Sequence, residues 1–409
     1  MHYVIIGNGG AGVSALQALR EVDTQAEVTL ISREPYPAYS PCSLPSLLVG
    51  EIDKPTIFRF DKRFYSRLNA TFMKNTEALQ IVPRDKAVKL ATGKRITFDR
   101  LLIAAGAKPI TPKGITGLEL RGVHVMGTLD ATLGILAQLH DGVKHVVVVG
   151  GGFMGIETGV MLRKRGINIS IVEMLPHILS RMLDPDVSEQ VGEILKNNGV
   201  QLMVNETVKS INGDRKVTSV SFKKKTVRCD MVVVAIGVAP NIDLVHGSGI
   251  AVNQGIIVDS TMQTNVRDIY AAGDIAEVQE QIEGRQGSFA IWPNAIEQGK
   301  IAGLNMAGVH TKYPGAEVVN VLDVFDIPVV AMGCPSRIVG RCRVISRVTP
   351  HSYKKILLKN KRIVGLQFVG TIRNVGTFYS LMKKGTDVSS ITERLLDDNF
   401  VLAPNIGTS

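Results

Sequence analysis

The run Tyr3-Val4-Ile5-Ile6 opens directly into Gly7-Asn8-Gly9-Gly10-Ala11-Gly12 and then into Val13-Ser14-Ala15-Leu16-Gln17-Ala18-Leu19. An apolar β-branched stretch, a Gly-x-Gly-x-x-Gly spacing and a helix-forming stretch, in that order, predict strand, tight turn and helix. Gly7 permits the turn, Gly9 lets the backbone approach a pyrophosphate, and Gly12 lets the helix pack on the strand. The helix start then offers open amides and its positive end to a ligand. A dinucleotide is expected here, and the loop by itself leaves NAD and FAD open.

The same unit returns later in the chain. His145-Val146-Val147-Val148-Val149 leads into Gly150-Gly151-Gly152-Phe153-Met154-Gly155-Ile156-Glu157 and a further helical stretch. Each loop is followed by a second buried strand ending near an acid: Glu27 to Ile31 with Glu34, and Asn168 to Val172 with Glu173. A carboxylate about 20 residues past such a loop can accept from both hydroxyls of an adenosine ribose. For Glu34 this reading stands beside the plainer one of a surface glutamate. Glu173 would repel a 2′-phosphate, which favours NAD over NADP. Two complete units in one chain predict two dinucleotides in two domains.

Each half also ends alike. Alternating stretches at Glu77 to Val82 (with Ala78), Ala87 to Leu90 and Arg95 to Phe98 predict an antiparallel meander, and Val200 to Val208, Val217 to Phe222 and Thr226 to Cys229 predict another. The first leads into Leu101 to Pro109, with Ala105 and Gly106, and the second into Asp230 to Asn241, with Gly237. Small residues at such strand ends let a flat ligand approach the backbone. A helix over Leu129 to Leu139 links the halves, and the chain reads as an internal duplication.

Ile269-Tyr270-Ala271-Ala272-Gly273-Asp274 is a strand ending at Gly-Asp ahead of a helix-like segment. The Asp274 carboxylate suits the hydroxyls of a ribityl chain, which FAD has and NAD lacks. A helix starting at Trp292 would bring its positive end towards negative charge on a reduced flavin, with Trp292 itself open to a plain packing role. Prolines 35, 37, 41 and 45 forbid a continuous regular element before the Leu47 region and predict a stiff loop that holds Cys42 in place. A lone cysteine is as readily a small buried hydrophobe. From about Pro314, Val318 to Phe325, Val329 to Met332, Arg343 to Arg347, Tyr353 to Leu358 and Val364 to Val369 predict an antiparallel sheet. Helices over Val375 to Lys383 and Ile391 to Leu396 follow it, in what reads as a docking domain.

Composition sets the remaining bounds. A chain of 409 residues suits two or three domains. No apolar run reaches membrane-spanning length, and a strand beginning at residue 3 leaves no room for a signal peptide. Four cysteines without a Cys-x-x-Cys pair exclude a disulfide scaffold and suggest a reducing cytoplasm. The net charge of +10 favours anionic ligands or an acidic protein partner, or is simply a solvated surface. The positive charge is dispersed and Lys223-Lys224-Lys225 reads as a hairpin turn, so nucleic acid is not expected. No metal-ligand or iron-sulfur cysteine spacing occurs.

In their order, Gly7-x-Gly9-x-x-Gly12, Leu101 to Pro109, Gly150-x-Gly152-x-x-Gly155, Ala235 to Asn241 and Tyr270-Ala-Ala-Gly-Asp274-Ile resemble the FAD-dependent pyridine nucleotide-disulfide oxidoreductases over nearly the whole chain. Within them the chain looks most like the branch with NADH oxidases, coenzyme A-disulfide reductases, NADH:rubredoxin reductases and the flavin module of nitrite reductase. The resemblance implies an α/β fold of two Rossmann-like, glutathione-reductase-like dinucleotide-binding domains plus a small α+β C-terminal domain. It divides the chain into an FAD-binding domain (1–112 and 241–315), an NAD-binding domain inserted in it (113–240) and an interface domain (316–409). It implies FAD at Gly7, Gly9, Gly10, Ala11, Gly12, Glu34, Pro41, Ala78, Ala105, Gly106, Gly273, Asp274 and Trp292. NAD(H) falls to Gly150, Gly152, Phe153, Met154, Gly155, Glu157, Glu173 and Gly237. Hydride would pass between nicotinamide C4 and flavin N5, stacked between the two domains. Cys42-Ser43-Leu44-Pro45 is similar to a single-cysteine loop whose sulfur cycles as a mixed disulfide or sulfenic acid. Pro41 stands where that loop usually has asparagine, and the tail after Gly308 is shorter than in the dimeric disulfide reductases. The tail resembles rubredoxin reductases, nitrite reductases and the FAD subunits of multisubunit oxidoreductases, which implies a small redox protein or iron-sulfur partner subunit as acceptor. The cysteine instead implies a disulfide, polysulfide or oxygen species. An oligomer would form through the C-terminal domain.

Overall fold

The computed structural model describes residues 1–61, 63–397 and 400–402. The chain forms two compact units, one of Met1–Leu47, Ile52–Lys108 and Val238–Glu317, the other of Leu48–Glu51, Pro109–Gly237 and the described chain from Val318 onward.

The first unit is built on a five-stranded sheet in the order Ile269–Ala271, Arg100–Ile103, His2–Ile6, Glu27–Ile31, Ala70–Met73. All its pairings are parallel, and Ile6 stands between Ile31 and Ile103, so the central strands end together where Gly7 turns away. Their near-continuous apolar runs follow from burial on both faces, as parallel sheets require. Val4, Ile5, Leu30, Leu101 and Leu102 are fully buried. Helices Gly10–Val22 and Trp292–Met306 lie against each other. Two glycines one helical turn apart allow this: a Cβ at Gly299 would stand 2.1 Å from the Ala11 carbonyl oxygen, and one at Gly303 would stand 2.5 Å from that of Ala15. The expected meander is present as Ala78–Val82, Ala87–Leu90 and Arg95–Thr97.

The second unit repeats the design. Its parallel sheet runs in the order Val200–Met203, Asn168–Val172, His145–Val149, Met231–Val234, Val123–Val125. A meander of Ser210–Gly213, Val217–Ser221 and Thr226–Arg228 accompanies it, with Lys223 and Lys224 exposed in its last turn. A five-stranded antiparallel sheet then follows in the order Val319–Val324, Ile327–Gly333, Arg362–Val369, Ser352–Lys359, Arg343–Thr349. Helix Val375–Lys384 packs on it through Phe378, whose ring meets Phe368 edge-on at 5.8 Å.

The structure corrects the sequence reading in three places. The segment around Cys42 is not a loop up to Leu47: Pro41–Ser43 forms a 3₁₀ turn and Leu44–Val49 a short α-helix. Pro41 and Pro45 fall in first turns, where the missing N–H costs nothing. Val200–Met203 joins the parallel sheet beside Asn168–Val172 and is not part of the meander. After Asp274 the chain forms a strand, Ala276–Gln279, where a helical segment was expected. Strands Ala70–Met73 and Val123–Val125 and helix Pro185–Asn197 carry no expectation from the sequence at all.

Candidate functional site

The two glycine loops share one geometry. Gly7 adopts φ +114°, and a Cβ there would lie 2.0 Å from the Ala104 carbonyl oxygen; at Gly150 the values are +116° and 2.3 Å, against Ala235. A Cβ on Gly12 would lie 1.9 Å from the Gly7 oxygen, and one on Gly155 the same distance from the Gly150 oxygen. Gly7 N–H donates to Ile31 O and Gly150 N–H to Val172 O, both at 2.8 Å. These four glycines are therefore required by the protein's own packing. Gly9 and Gly152 differ: no heavy atom of the described residues comes within 4 Å of a Cβ built on either. Each is the N-cap of its helix, without a side-chain cap and without an acid in the first turn. Helix amides left open beside a concave backbone form a site for a phosphate group.

Of the expected residues from elsewhere in the chain, Ala105, Gly273 and Trp292 lie against the first loop. The Trp292 indole lies 3.2 Å from the Cβ position of Gly10, and Gly273, at φ +82°, backs onto Ala11. Gly273 N–H donates to the buried Gln298 Oε1 at 2.8 Å. Burial pushes the Asp274 carboxyl up to about 6. A carboxylate in that state is stabilised by any hydroxyl that donates to it, so the site suits a polyol. The Asn241 side chain donates to Ala105 O at 2.7 Å, and Asn241 N–H to Gly106 O at 3.0 Å. Glu34 accepts from the Tyr39 hydroxyl at 3.2 Å. Ala78 opens the first strand of the meander. Pro41 and Cys42 are exposed on their 3₁₀ turn.

Asn8 and Tyr65 were not anticipated. The Tyr65 hydroxyl donates to Asn8 Oδ1 at 2.7 Å and accepts from Ala38 N–H at 3.1 Å, while Asn8 Nδ2 donates to Tyr36 O at 3.2 Å. This network joins the glycine loop to the segment that leads to Cys42. Asn8 occupies the variable position of its motif and Tyr65 belongs to no motif, so neither left a signal in the sequence.

At the second loop, Glu173 Oε2 accepts from Gly151 N–H at 2.7 Å and Oε1 from Leu175 N–H at 2.9 Å. The carboxylate is held beside the loop amides, where a second phosphate would meet like charge. Glu173→Gln is therefore expected to lower the preference for NADH over NADPH in kcat/KM by roughly tenfold or more, about 1.4 kcal/mol. An unchanged preference would count against this role. Phe153 and Met154 begin the helix, and Gly237, at φ +109°, accepts through its carbonyl from Ile110 N–H at 2.9 Å.

Glu157 lies on the same helix, half-buried, and burial pushes its carboxyl up from 4.5 to about 7. Between those values the folded chain keeps a proton that the unfolded chain has lost, so stability falls as pH rises through that window. Glu157→Gln removes the loss. Its melting temperature is expected to exceed that of the parent by roughly 2–4 °C at pH 8 and to match it at pH 4, as thermal denaturation at the two pH values would show.

Among the described residues, no group of three or more His, Cys, Asp or Glu side chains is placed to hold a metal ion, and no helix is long and apolar enough to cross a membrane.

Comparison with known proteins adds to this geometry. Residues 1–299 match the pyridine nucleotide-disulphide oxidoreductase family model, and residues 319–386 match the rubredoxin NAD+ reductase C-terminal domain. An NADH oxidase of Methanocaldococcus jannaschii is 30% identical over 99% of this chain and 95% of its own. The NADH-dependent phenylglyoxylate dehydrogenase subunit epsilon of Aromatoleum evansii is 28% identical over 99% of this chain and 96% of its own. The solved structure of an NAD-dependent persulfide reductase from A. fulgidus superposes with a TM-score of 0.91 at 26% identity, covering 98% of this chain and 79% of its own.

Proposed function

Since the chain belongs to the pyridine nucleotide-disulphide oxidoreductase family and is an FAD-dependent NAD(P)H oxidoreductase, we propose that its Gly7 loop holds FAD, its Gly150 loop holds NAD(H), and electrons pass to a small redox protein or an iron-sulfur partner subunit. The observation that carries the two-cofactor reading is the paired glycine geometry, in which Gly9 and Gly152 alone are left open. The division into FAD-binding (1–112 and 241–315), NAD-binding (113–240) and C-terminal (316–409) parts belongs to the same reading.

Bound FAD supplies the exchange of a hydride with nicotinamide and the release of electrons to an acceptor. The chain's own residues bind and orient. The amides that open helices Gly10–Val22 and Phe153–Lys164 take the pyrophosphates, and Asp274 accepts from a ribityl hydroxyl. Glu34 and Glu173 accept from the two adenosine riboses. The start of helix Trp292–Met306 favours negative charge near it.

A protein acceptor is supported by the match of residues 319–386 to a rubredoxin reductase domain and by the net charge of +10, which steers an acidic carrier. The test is NADH-driven reduction of a rubredoxin and of a [2Fe–2S] ferredoxin by the flavin-loaded chain at rising ionic strength. Rates should fall steeply with salt; slow, salt-independent transfer to both would sink the reading. A second reading is favoured by the exposure of Cys42. Its thiolate would attack a disulfide sulfur, forming a mixed disulfide and expelling one thiolate. NADH supplies a hydride, which with one proton from solvent provides the two electrons and two protons that return Cys42 to the thiol and release the second thiol.

A further inference from the structure

The segment 174–183, which follows Glu173, is fastened to the second glycine loop at one end and to the C-terminal sheet at the other. Leu179 is buried and adopts φ +50°, a conformation that leucine avoids, and its N–H donates to Gly151 O at 2.8 Å. The Ile178 side chain lies 2.9 Å from the Cβ position of Gly151, and Ile178 O accepts from Ser188 Oγ at 2.7 Å. Left to itself, a leucine in this conformation would relax; the contacts on either side must hold it.

The far anchor is Asp184, which is 1% exposed. Its N–H donates to Gln367 Oε1 at 2.8 Å, and its Oδ1 accepts from Ser336 N–H at 2.8 Å and Ser336 Oγ at 3.0 Å. Its Oδ2 lies 2.8 Å from the Nζ of Lys355, itself 7% exposed, which also reaches Asp186 Oδ1 at 2.7 Å. Arg337 donates to Ser180 O. Ser336 and Lys355 thus converge on one buried carboxylate at the end of the segment, and Gln367 holds the backbone N–H of the same residue. A buried ion pair contributes little net stability over an apolar packing of the same volume, and its best-attested use is to fix one register.

We infer that the Asp184–Lys355 pair is a positioning device for the second glycine loop, through which the C-terminal sheet sets how that loop presents itself to NAD(H). The inference rests on the reading of the Gly150 loop as the NAD(H) site. It makes the sheet a working part of nucleotide binding as well as a docking surface, with Lys355 and Arg337 acting on the loop through Leu179.

The test uses the flavin-loaded full chain with Lys355→Met and, because removing a buried cation can impair folding, Arg337→Ala at an exposed position. Two readouts are needed: hydrogen exchange at the Leu179 and Leu183 amides without NADH, and steady-state NADH kinetics with ferricyanide as acceptor. Exchange at those amides should quicken and the KM for NADH should rise roughly three- to thirtyfold in Lys355→Met, with a smaller change of the same sign in Arg337→Ala. The kcat should stay within about twofold and FAD content should be unchanged, a split that general destabilisation does not give. Unchanged exchange and KM in folded Lys355→Met, or in Arg337→Ala should Lys355→Met not fold, overturn the inference. Gly152→Ala separates the two levels. If it leaves NADH binding intact, the assignment of the loop fails and the inference with it; if it abolishes binding while the Lys355 and Arg337 variants behave as the parent, only the inference fails.

Discussion

Gly9→Ala is expected to give an apoprotein that melts with the parent apoprotein yet retains almost no FAD, whereas Gly12→Ala, three residues on, should strike the stability of the fold itself. Gly9 has φ −85° and ψ −167°, which any residue adopts, and a Cβ there meets no heavy atom within 4 Å. Alanine therefore costs the chain nothing in strain and slightly restricts its unfolded state. The same methyl group occupies the space through which a phosphate must reach the helix amides at hydrogen-bonding distance. Loss of those contacts should weaken FAD at least about a hundredfold, near 2.7 kcal/mol. At Gly12 the methyl would lie 1.9 Å from a backbone oxygen that cannot move without moving the strand. Overpacking of that kind costs about 3 kcal/mol or more, and at roughly 2–4 °C per kcal/mol it lowers melting by about 10 °C or prevents folding. The ratio of flavin to protein absorbance after desalting, with melting of the apoproteins, reads both effects. Gly9→Ala protein that keeps one FAD per chain would remove the Gly7 loop from consideration as the flavin site.

The sequence carried this far because a mononucleotide-binding unit writes its geometry into residue types. Only glycine fits at 7 and 12, only β-branched and apolar residues fill a strand buried on both faces, and the repeat at 150 shows the pattern is not accidental. What stayed hidden lies off that pattern. Strand Ala70–Met73 is half-buried, with no alternation to announce it. Helix Pro185–Asn197 has a clear apolar face, yet it sits between two strands of the parallel sheet, Asn168–Val172 and Val200–Met203, whose signals dominate the window. The roles of Asn8, Tyr65, Gln298 and the Asp184–Lys355 pair depend on residues far apart in sequence meeting in the fold. No spacing rule reports such meetings. The short helix after Cys42 was hidden by its own prolines, which break a helix interior but suit its first turn.

Cys42→Ser should separate the two exits for electrons. Cys42 is exposed, whereas Cys229 is buried and its thiol is pushed up to about 12, by burial first and by Asp230 second; Cys334 is buried as well. Nucleophilic attack on sulfur needs an accessible thiolate, which makes the two buried thiols inert and, of the remaining two, favours the exposed Cys42 over the half-buried Cys342. A serine hydroxyl ionises too weakly to replace it and forms no disulfide. Any NADH-dependent reduction of coenzyme A disulfide or polysulfide by this chain is therefore expected to fall by roughly a thousandfold or more, as for loss of a covalent nucleophile. Anaerobic bleaching of the flavin by NADH should proceed as in the parent, because hydride exchange needs no thiol. Reduction of a rubredoxin or ferredoxin should stay within about twofold under the primary reading, since electron transfer to a docked protein depends on approach and charge. Retained disulfide reduction in the serine variant would dismiss Cys42 as a nucleophile. Loss of carrier reduction with bleaching intact would instead put the thiol on the route to the protein partner, and the two proposed exits would then be one.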